Sequence, residues 1–421
     1  MANQFDSERQ NPYSGILSVK LILDEREVAL LAMEDIVYLD FKEDIFSYCL
    51  QGSLVFYDQY GLLEYGFTGN EMISIVYGTK ETREIVFHIW QVNNIVSTQT
   101  VGATNTNQIQ LMFVDASFYY TAIQKFSRSW PVNTKYSDVM KHLLQNMVGW
   151  ETQNINIESS SNKLSESWVM PYWTVGQTLN WLGNRSIGSI SGKSGYLTFN
   201  STKNNFSVNC RSIDWLLSNK NDIDETDYIF ESDNQDDANK ILEWHMQGSN
   251  KGDNRIRGGK YRGFSNSTKE LITENYKYSD GIANTTLLGR KSLMPDISDT
   301  AAEEICIPEK TAVKLKNVVY SDWVRRYINQ QKLIIYVLGN EKRFAGMQIR
   351  IKWPSVNKIT QIYHKTLEGK YLVQSIKHIF ENGYIQKIVL IKNAYQDSNS
   401  KKLLNATTKN TTGKARVIKT S

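Results

Sequence analysis

The stretch Gly369–Asn393, GKYLVQSIKHIFENGYIQKIVLIKN, constrains the fold more than any other part of this chain. It reads as a long β-hairpin. Asn382-Gly383 is the strongest short turn signal in it, because both central residues of a tight two-residue hairpin turn need positive φ. Each arm spans about ten residues, roughly 30 Å at the rise of an extended strand. That is long for strands whose two faces are both partly apolar. No obvious catalytic residue sits on the hairpin, so its length calls for an architectural explanation.

Other strands surround it. Ile16–Leu23 partly alternates between apolar and polar residues, and Gly52–Asp58 and Gly69–Gly78 are short apolar runs bounded by turn residues. Glu84–Val92 and Gln108–Asp115 flank a polar loop, STQTVGATNTN. Several such runs with turn punctuation predict a sandwich or barrel. The middle of the chain changes character. Tyr136–Trp150 places Val139, Met140, Leu143, Leu144 and Met147 on one helical stripe, with Ser137 or Asp138 as N-cap and Gly149 as stop. Thr174–Ile187 predicts a second helix capped by Thr174, and GYLTFNS and NFSVNC predict strands after it. The acidic run NKNDIDETDYIFESDNQDD reads as a loop leading into ANKILEWHMQG, and the basic NKGDNRIRGGKYRGF reads as a surface loop. YSDWVRRYINQQ predicts a short helix, and KLIIYVLGN and GMQIRIKWP predict two strands before the hairpin. The residues after Tyr395, rich in Ser, Thr, Asn and Lys, lack a core-forming pattern and are expected to be flexible, or ordered only by a partner.

An internal echo connects the two ends. GNEMISIVYG, IVFHIWQVNNI, a polar loop and IQLMFVD follow one another near the N-terminus. GMQIRIKWP, YLVQSIKHIF, the Asn-Gly turn and IQKIVLIKN follow one another near the C-terminus. Both series read as short strand, connection, long strand, turn, long strand. The expected fold class is therefore α+β, mainly β, with two similar β-barrel domains and an intervening α+β region. The expected limits are 1–115 for the first barrel and 116–235 for the middle domain. Residues 236–303 form a segment contributing to the barrels, 304–396 the second barrel, and 397–421 a flexible tail. Two like barrels per chain would let a trimer present six similar units in a ring. Long hairpins suit such a ring, because their arms can pair across neighbouring barrels and protect sheet edges.

Composition bounds the functions that remain. A net charge of +4 over 421 residues is too small to argue for nucleic-acid or membrane attraction in bulk. Aromatic residues make up 11%, which favours a large all-β core or an assembly subunit. Cys49, Cys210 and Cys306 lie far apart without ligand spacing, so buried thiols are expected rather than disulfides. The N-terminus has no apolar signal region, and no stretch approaches the ~20 apolar residues of a membrane span, so no direct membrane insertion is expected.

The search for catalysis returns little. His88, His142, His245, His364 and His378 show no HExxH or HxH spacing, and no CxxC occurs, so no metal or cofactor is expected. No GxSxG elbow occurs either. In GNRSIGSISGKSG, Gly188 stands one residue too close to Gly192-Lys193-Ser194 for a phosphate loop, and a strand rather than a helix follows. Glu81 with Glu84, or Asp236 with Asp237, could serve glycan hydrolysis, but they lie in polar stretches that read as solvated faces. The basic run Arg255, Arg257, Lys260 and Arg262, with Tyr261 and Phe264 nearby, could contact nucleic acid, although a surface loop or subunit contact fits it better. No catalytic residue is assigned.

Three segments carry a family resemblance. QGSLVFYDQYGLLEYGFTGNEMISIVYG resembles the early segment of the central baseplate hub subunit of contractile-tailed bacteriophages. VMPYWTVGQTLNWLGNRSIGSISGKSGYLTFNSTKNNFSV is similar to that family's middle element, and GNEKRFAGMQIRIKWP with the hairpin is similar to its closing segment. The order and spacing match over roughly residues 12–396, and it is the ordered series rather than any one motif that carries the likeness. The resemblance implies a homotrimeric, non-enzymatic virion protein of the tail baseplate, assembled in the host bacterial cytoplasm. Its ring would adapt a sixfold tail tube, or a tube-initiator protein, to a threefold central spike. Other baseplate proteins are further expected partners, and DNA is passing cargo, which favours a bore that is not strongly basic. The spike is expected to be a separate protein, unlike the fused ring and spike of type VI secretion. The ring interface is expected on strand residues around Phe87, Ile89 and Trp90 and around Ile376, His378 and Phe380, half of them core and half contact. The alternatives are a tail-associated cell-wall glycan hydrolase and the hub of a non-phage contractile injection machine.

Overall fold

The computed structural model describes residues 15–392 apart from several connecting stretches, the longest being 278–303 and 353–367. The N-terminal 14 residues, Asn382 and the expected tail 397–421 lie outside the described residues. The first seven strands are β1 (Ile16–Leu23), β2 (Arg26–Leu30), β3 (Ile36–Asp44), β4 (Gln51–Asp58), β5 (Met72–Tyr77), β6 (Arg83–Thr98) and β7 (Thr106–Asp115). They pair in the order β2-β1-β5-β6-β7-β4-β3, antiparallel throughout. Alternating side chains from these strands, among them Val19, Leu39, Phe41, Leu54, Phe56, Ile73, Phe87, Ile89 and Phe113, fill one core. Strands β2 and β3 lack a sequence reading of their own, because Met33–Asp35 inserts a short 3₁₀ turn between two polar-interrupted runs.

The middle region holds α1 (Tyr136–Leu143), α2 (Val175–Arg185) and α3 (Ile213–Ser218) around a small sheet of β8 (Ile155–Ile157), β9 (Tyr196–Ser201) and β10 (Ser207–Ser212). Thr174 caps α2 as its sequence predicts: its hydroxyl accepts from Gln177 N at 3.2 Å, and Gln177 Oε1 accepts from Thr174 N at 3.1 Å. α1 departs from expectation. Its N-cap is Lys135, which makes no side-chain cap bond, and its last turn widens into a π-turn over Leu144–Val148 before Gly149 stops it at φ +86°. The apolar stripe of both helices packs into one cluster with Trp130, Tyr196 and Cys210.

The second barrel begins earlier than the sequence suggests. β11 (Ile223–Phe230) lies within the acidic run read as a loop and inside the expected middle domain. Its charged residues are tolerated because Arg350 and Lys352 of the neighbouring strand pair with Asp227. β12 (Lys240–Gln247) follows. A separate sheet of β13 (Gly258–Phe264), β14 (Leu271–Lys277) and β15 (Glu304–Ile307) then interrupts the barrel, so part of the basic run expected as a loop is strand. The described residues of 317–328 are helical, as expected, and Val324 and Ile328 pack inward. β16 (Gln331–Leu338), β17 (Gln348–Lys352), β18 (Gly369–Phe380) and β19 (Tyr384–Lys392) complete the set. The order β18-β17-β11-β12-β16-β19 closes on itself through β18–β19, giving a six-stranded barrel.

The two barrels share a topology. Taken in chain order, six strands of each lie side by side as first, fourth, fifth, sixth, third, second. β1, β3, β4, β5, β6 and β7 thus correspond to β11, β12, β16, β17, β18 and β19. The sequence echo marks three of these pairs. The difference lies in the first strand: β1 runs antiparallel to β5, whereas β11 runs parallel to β17 and to β12.

The hairpin β18–β19 belongs to both barrels. Gly369–Leu372 pairs with β17 of the second barrel. A bulge at Gln374 shifts the register, and Ser375–Phe380 then pairs with Asp44–Leu39 of β3 in the first. The connection at the tip is three residues long, because Phe380 pairs with Tyr384, rather than the two-residue turn expected. Gly383 there takes φ +143°, open to glycine alone. Phe380 and Tyr384 enter the core of the first barrel, while Ile376, Ile388 and Leu390 stay in that of the second. Tyr384 lies so close to Gly15 and Gly339 that a Cβ on either would fall within 2.3 Å of it. Phe380→Ala is therefore expected to destabilise the first barrel, in which Phe380 does not lie by sequence, by about 3–5 kcal/mol. Urea unfolding followed by hydrogen exchange checks this: lost protection should spread through β3 and β4.

Candidate assembly junction

The surface where the barrels meet is built from polar groups that the hairpin buries. His378 is fully buried and stacks on Phe41 of β3 with ring centroids 4.3 Å apart. Burial pushes its pKa below the ordinary histidine value, against the pull of Glu43. The neutral ring has one arrangement that satisfies both nitrogens. Nε2–H donates to Glu43 Oε1 at 3.4 Å, and Nδ1 accepts from the Tyr384 hydroxyl at 2.7 Å. Glu43 also accepts from Thr202 N at 2.9 Å and from its hydroxyl at 3.2 Å, so one carboxylate joins the first barrel, the hairpin and the middle region.

The network continues across β19. Gln386 donates to the Tyr384 hydroxyl at 3.0 Å and accepts from Arg343 at 2.6 Å. Arg343 is 1% exposed, and all five of its donors have acceptors. Nε donates to the Tyr228 hydroxyl at 2.8 Å, and the terminal nitrogens donate to Leu338 O, Gln386 Oε1, Ala238 O and Asn239 Oδ1 at 2.6–2.8 Å. One side chain thereby ties three strands and a turn at this end of the closed barrel.

Two residues before it, Glu341 reaches back to the β5–β6 turn. Its carboxylate accepts from Thr79 N at 3.0 Å, the Thr79 hydroxyl at 2.7 Å, Lys80 N at 3.1 Å and Glu81 N at 2.8 Å. Three consecutive backbone N–H groups form a small anion nest, and Glu341 fills it. Burial alone would raise its pKa. Hydrogen bonds from its own backbone, Thr79 and Glu81 outweigh that and hold the carboxyl at about 2.

Of the residues expected at the ring interface, five are buried within the protomer. Phe87 and Ile89 sit in the first core, Ile376 in the second, Phe380 in the first by way of the hairpin, and His378 between the two. Trp90 is 48% exposed and packs edge-on against Phe118. Sequence reasoning passed over Glu43, Glu341, Arg343 and Gln386. For Glu43 and Gln386 the only signal was a polar side chain within a strand, and Glu341 and Arg343, in the turn between β16 and β17, gave none. Among the described residues no group of three or more His, Cys, Asp or Glu is placed to hold a metal ion. Glu81 pairs with Lys342, and Glu84 accepts from the Ser74 hydroxyl. Asp236 and Asp237 lie outside the described residues, as do residues 190–194 of the glycine-rich turn and Arg255 and Arg257 of the basic run. Cys49 and Cys210 are free thiols, and burial pushes each up to about 12. Among the described residues no helix is long and apolar enough to cross a membrane.

The nest gives the junction a pH signature. A carboxyl with a depressed folded pKa stabilises the fold above its unfolded value, and that contribution is lost as pH falls through the folded one. For Glu341 the window runs from 4.5 down to about 2. Glu341→Gln is expected to cost about 1.5–3 kcal/mol at neutral pH. The gap between wild type and variant, measured by urea unfolding, should narrow across that window and vanish below it.

No protein-family model matches the sequence, and no curated protein does. Solved structures align with it along most of its length. The tail protein from Neisseria meningitidis MC58 aligns at 10% identity over 90% of this chain and 97% of its own, with a TM-score of 0.53. The 43 kDa tail protein of prophage MuSo2 from Shewanella oneidensis aligns at 11% identity over 89% of this chain and 98% of its own, with a TM-score of 0.56. The fold of this mostly β chain is similar to the fold of these tail proteins.

Proposed function

We propose that this chain is a structural subunit of a phage tail baseplate, a hub that works as a homotrimer. The observation that carries the reading is the match of strand order between the two barrels of one chain. Three chains then supply six like units, and a ring of six can face a sixfold tail tube, or its initiator, on one side. The true symmetry of such a ring is threefold, which suits a threefold central spike on the other. The two barrels cannot be fully equivalent, because their first strands run in opposite senses. That inequivalence is what an adaptor between unlike symmetries needs. DNA would pass through the bore during ejection, and other baseplate proteins would dock outside. The likeness of fold to tail proteins supports this setting. The chain acts in this reading by geometry, without catalysis.

Native mass spectrometry of the full chain, alone and co-expressed with the central spike protein of the same tail, tests the assembly. A mass of three chains, with ring-shaped particles of near-sixfold outline by electron microscopy, is expected. A single-chain mass under both conditions overturns the proposal. Zymography on cell-wall glycan should show no clearing, and reproducible lysis by the purified chain would replace the structural reading with the hydrolase.

A further inference from the structure

The proposed ring leaves open which surfaces join one copy to the next. The internal correspondence of the barrels answers this to the residue. Two routes through the ladders give the same alignment. On β6 the ladder to β5 ends at His88, and a bulge follows at Trp90. On β18 the ladder to β17 ends at Leu372, and a bulge follows at Gln374. Three residues past each bulge, Asn93 corresponds to Lys377. The second route starts from the bulges at Val37 on β3 and Leu242 on β12. Tyr38 pairs with Val55, Val55 with Gln110, and Gln110 with Asn93. In the other barrel Glu243 pairs with Tyr336, Tyr336 with Lys387, and Lys387 with Lys377. Asn93 again meets Lys377, and Phe41 and Lys42 correspond to Met246 and Gln247.

Within the chain, the arm of β18 beyond its bulge pairs with β3, placing Lys377 against Lys42 and His378 against Phe41. The same relation in a ring would set the arm of β6 beyond its bulge against β12. One chain cannot make that contact twice, so the second strand comes from a neighbour. We infer that copies of this chain join by an antiparallel ladder between β6 of one and β12 of the next, with Asn93 opposite Gln247 and Asn94 opposite Met246. The inference rests on the trimeric ring proposed above.

The exposure of the two strands supports it. The ladder from β11 to β12 stops at Ile241, after two residue pairs. Beyond it, Leu242 is 43% and Met246 40% exposed. Phe41, the counterpart of Met246, is fully buried, and what covers it is the hairpin arriving from the other barrel, with His378 stacked upon it. Met246 lacks that cover in a single protomer because the equivalent hairpin, β6–β7, belongs to another copy. On that hairpin Val86 and Trp90 are likewise exposed. The occupant of each surface is therefore a second copy of the chain.

Cysteine cross-linking of the full chain tests the register. Facing Cα atoms in an antiparallel ladder lie about 4.5–5.5 Å apart, within reach of a disulfide. Asn94→Cys with Met246→Cys, and Asn93→Cys with Gln247→Cys, are oxidised in parallel and run without reductant, with native masses recorded on the same samples. At least one pair should give covalent dimers and closed trimers above the wild-type background, while Asn94→Cys with Tyr57→Cys stays at that background. Met246→Asp should keep the circular dichroism spectrum and melting temperature of the protomer yet weaken trimer formation at least tenfold. A native trimer that neither in-register pair cross-links overturns this ladder and leaves the ring standing. A chain that forms no trimer overturns both.

Discussion

A β-strand that leaves its own barrel must still find partners for its backbone N–H and C=O groups, and that requirement organises this molecule. β18 is twelve residues long, but its neighbour β17 has only five. The remaining edge would lie bare without β3, which covers Ser375–Phe380. Once that pairing forms, two barrels become one thirteen-stranded sheet. The bulge at Gln374 permits it. An extra residue re-aims the strand, so Tyr371 and Val373 face the second core before the bulge, and Ile376, His378 and Phe380 face inward after it. The length of the hairpin follows from serving two cores in succession.

The junction is polar where apolar side chains would bury more surface. A ladder of β-branched residues tolerates slippage by two positions, because the inward face stays apolar. The bonds of Glu43 to His378 and of Gln386 to Arg343 exist in one register only. Buried ion pairs and polar networks add little net stability over well-packed hydrocarbon, but they penalise alternatives that leave a group unpaired. Glu341 acts in the same sense, since only one placement of the β5–β6 turn presents three N–H groups to it. The relative position of the barrels is thus fixed by groups that would be costly to leave buried and unmatched.

Alternation and turn residues made most strands legible. β1 has the limits read from ILSVKLIL, and β19 and β16 lie where their apolar runs place them. Thr174 announced α2 because an N-cap is a local signal, and the structure completes it with Gln177 into a capping box. The failures share one cause, a dependence on distant partners. β11 looked like a solvated loop because Arg350 and Lys352, which neutralise Asp227, come from more than a hundred residues away. β13 looked like a basic loop because its partners β14 and β15 follow after intervening polar sequence. Phe87 and Ile376 looked equally suited to core or contact, since a strand pattern tells inward from outward but not which barrel lies on the inward side. The internal echo escaped this limit. Recurrence of short strand, long strand, turn and long strand reports topology directly, whatever the partners.

The reversed first strand explains why the barrels differ in role despite matching in order. β11 runs parallel to β12 and touches it for two residue pairs, enough to close the second barrel on its own strands. β1 turns into β2 instead, and among the described residues no ladder joins either strand to β3. The first barrel stays open on that side and accepts a foreign hairpin tip, Phe380 and Tyr384, into its core. Covalent linkage makes this acceptance intramolecular, so it costs no translational or rotational freedom. In the proposed ring, alternate junctions are of this kind. The others bring separate copies together, and only they carry the entropy of association. The chain can therefore fold as a protomer whose deepest junction is already made, and the ring then depends on the shallower edge of β12.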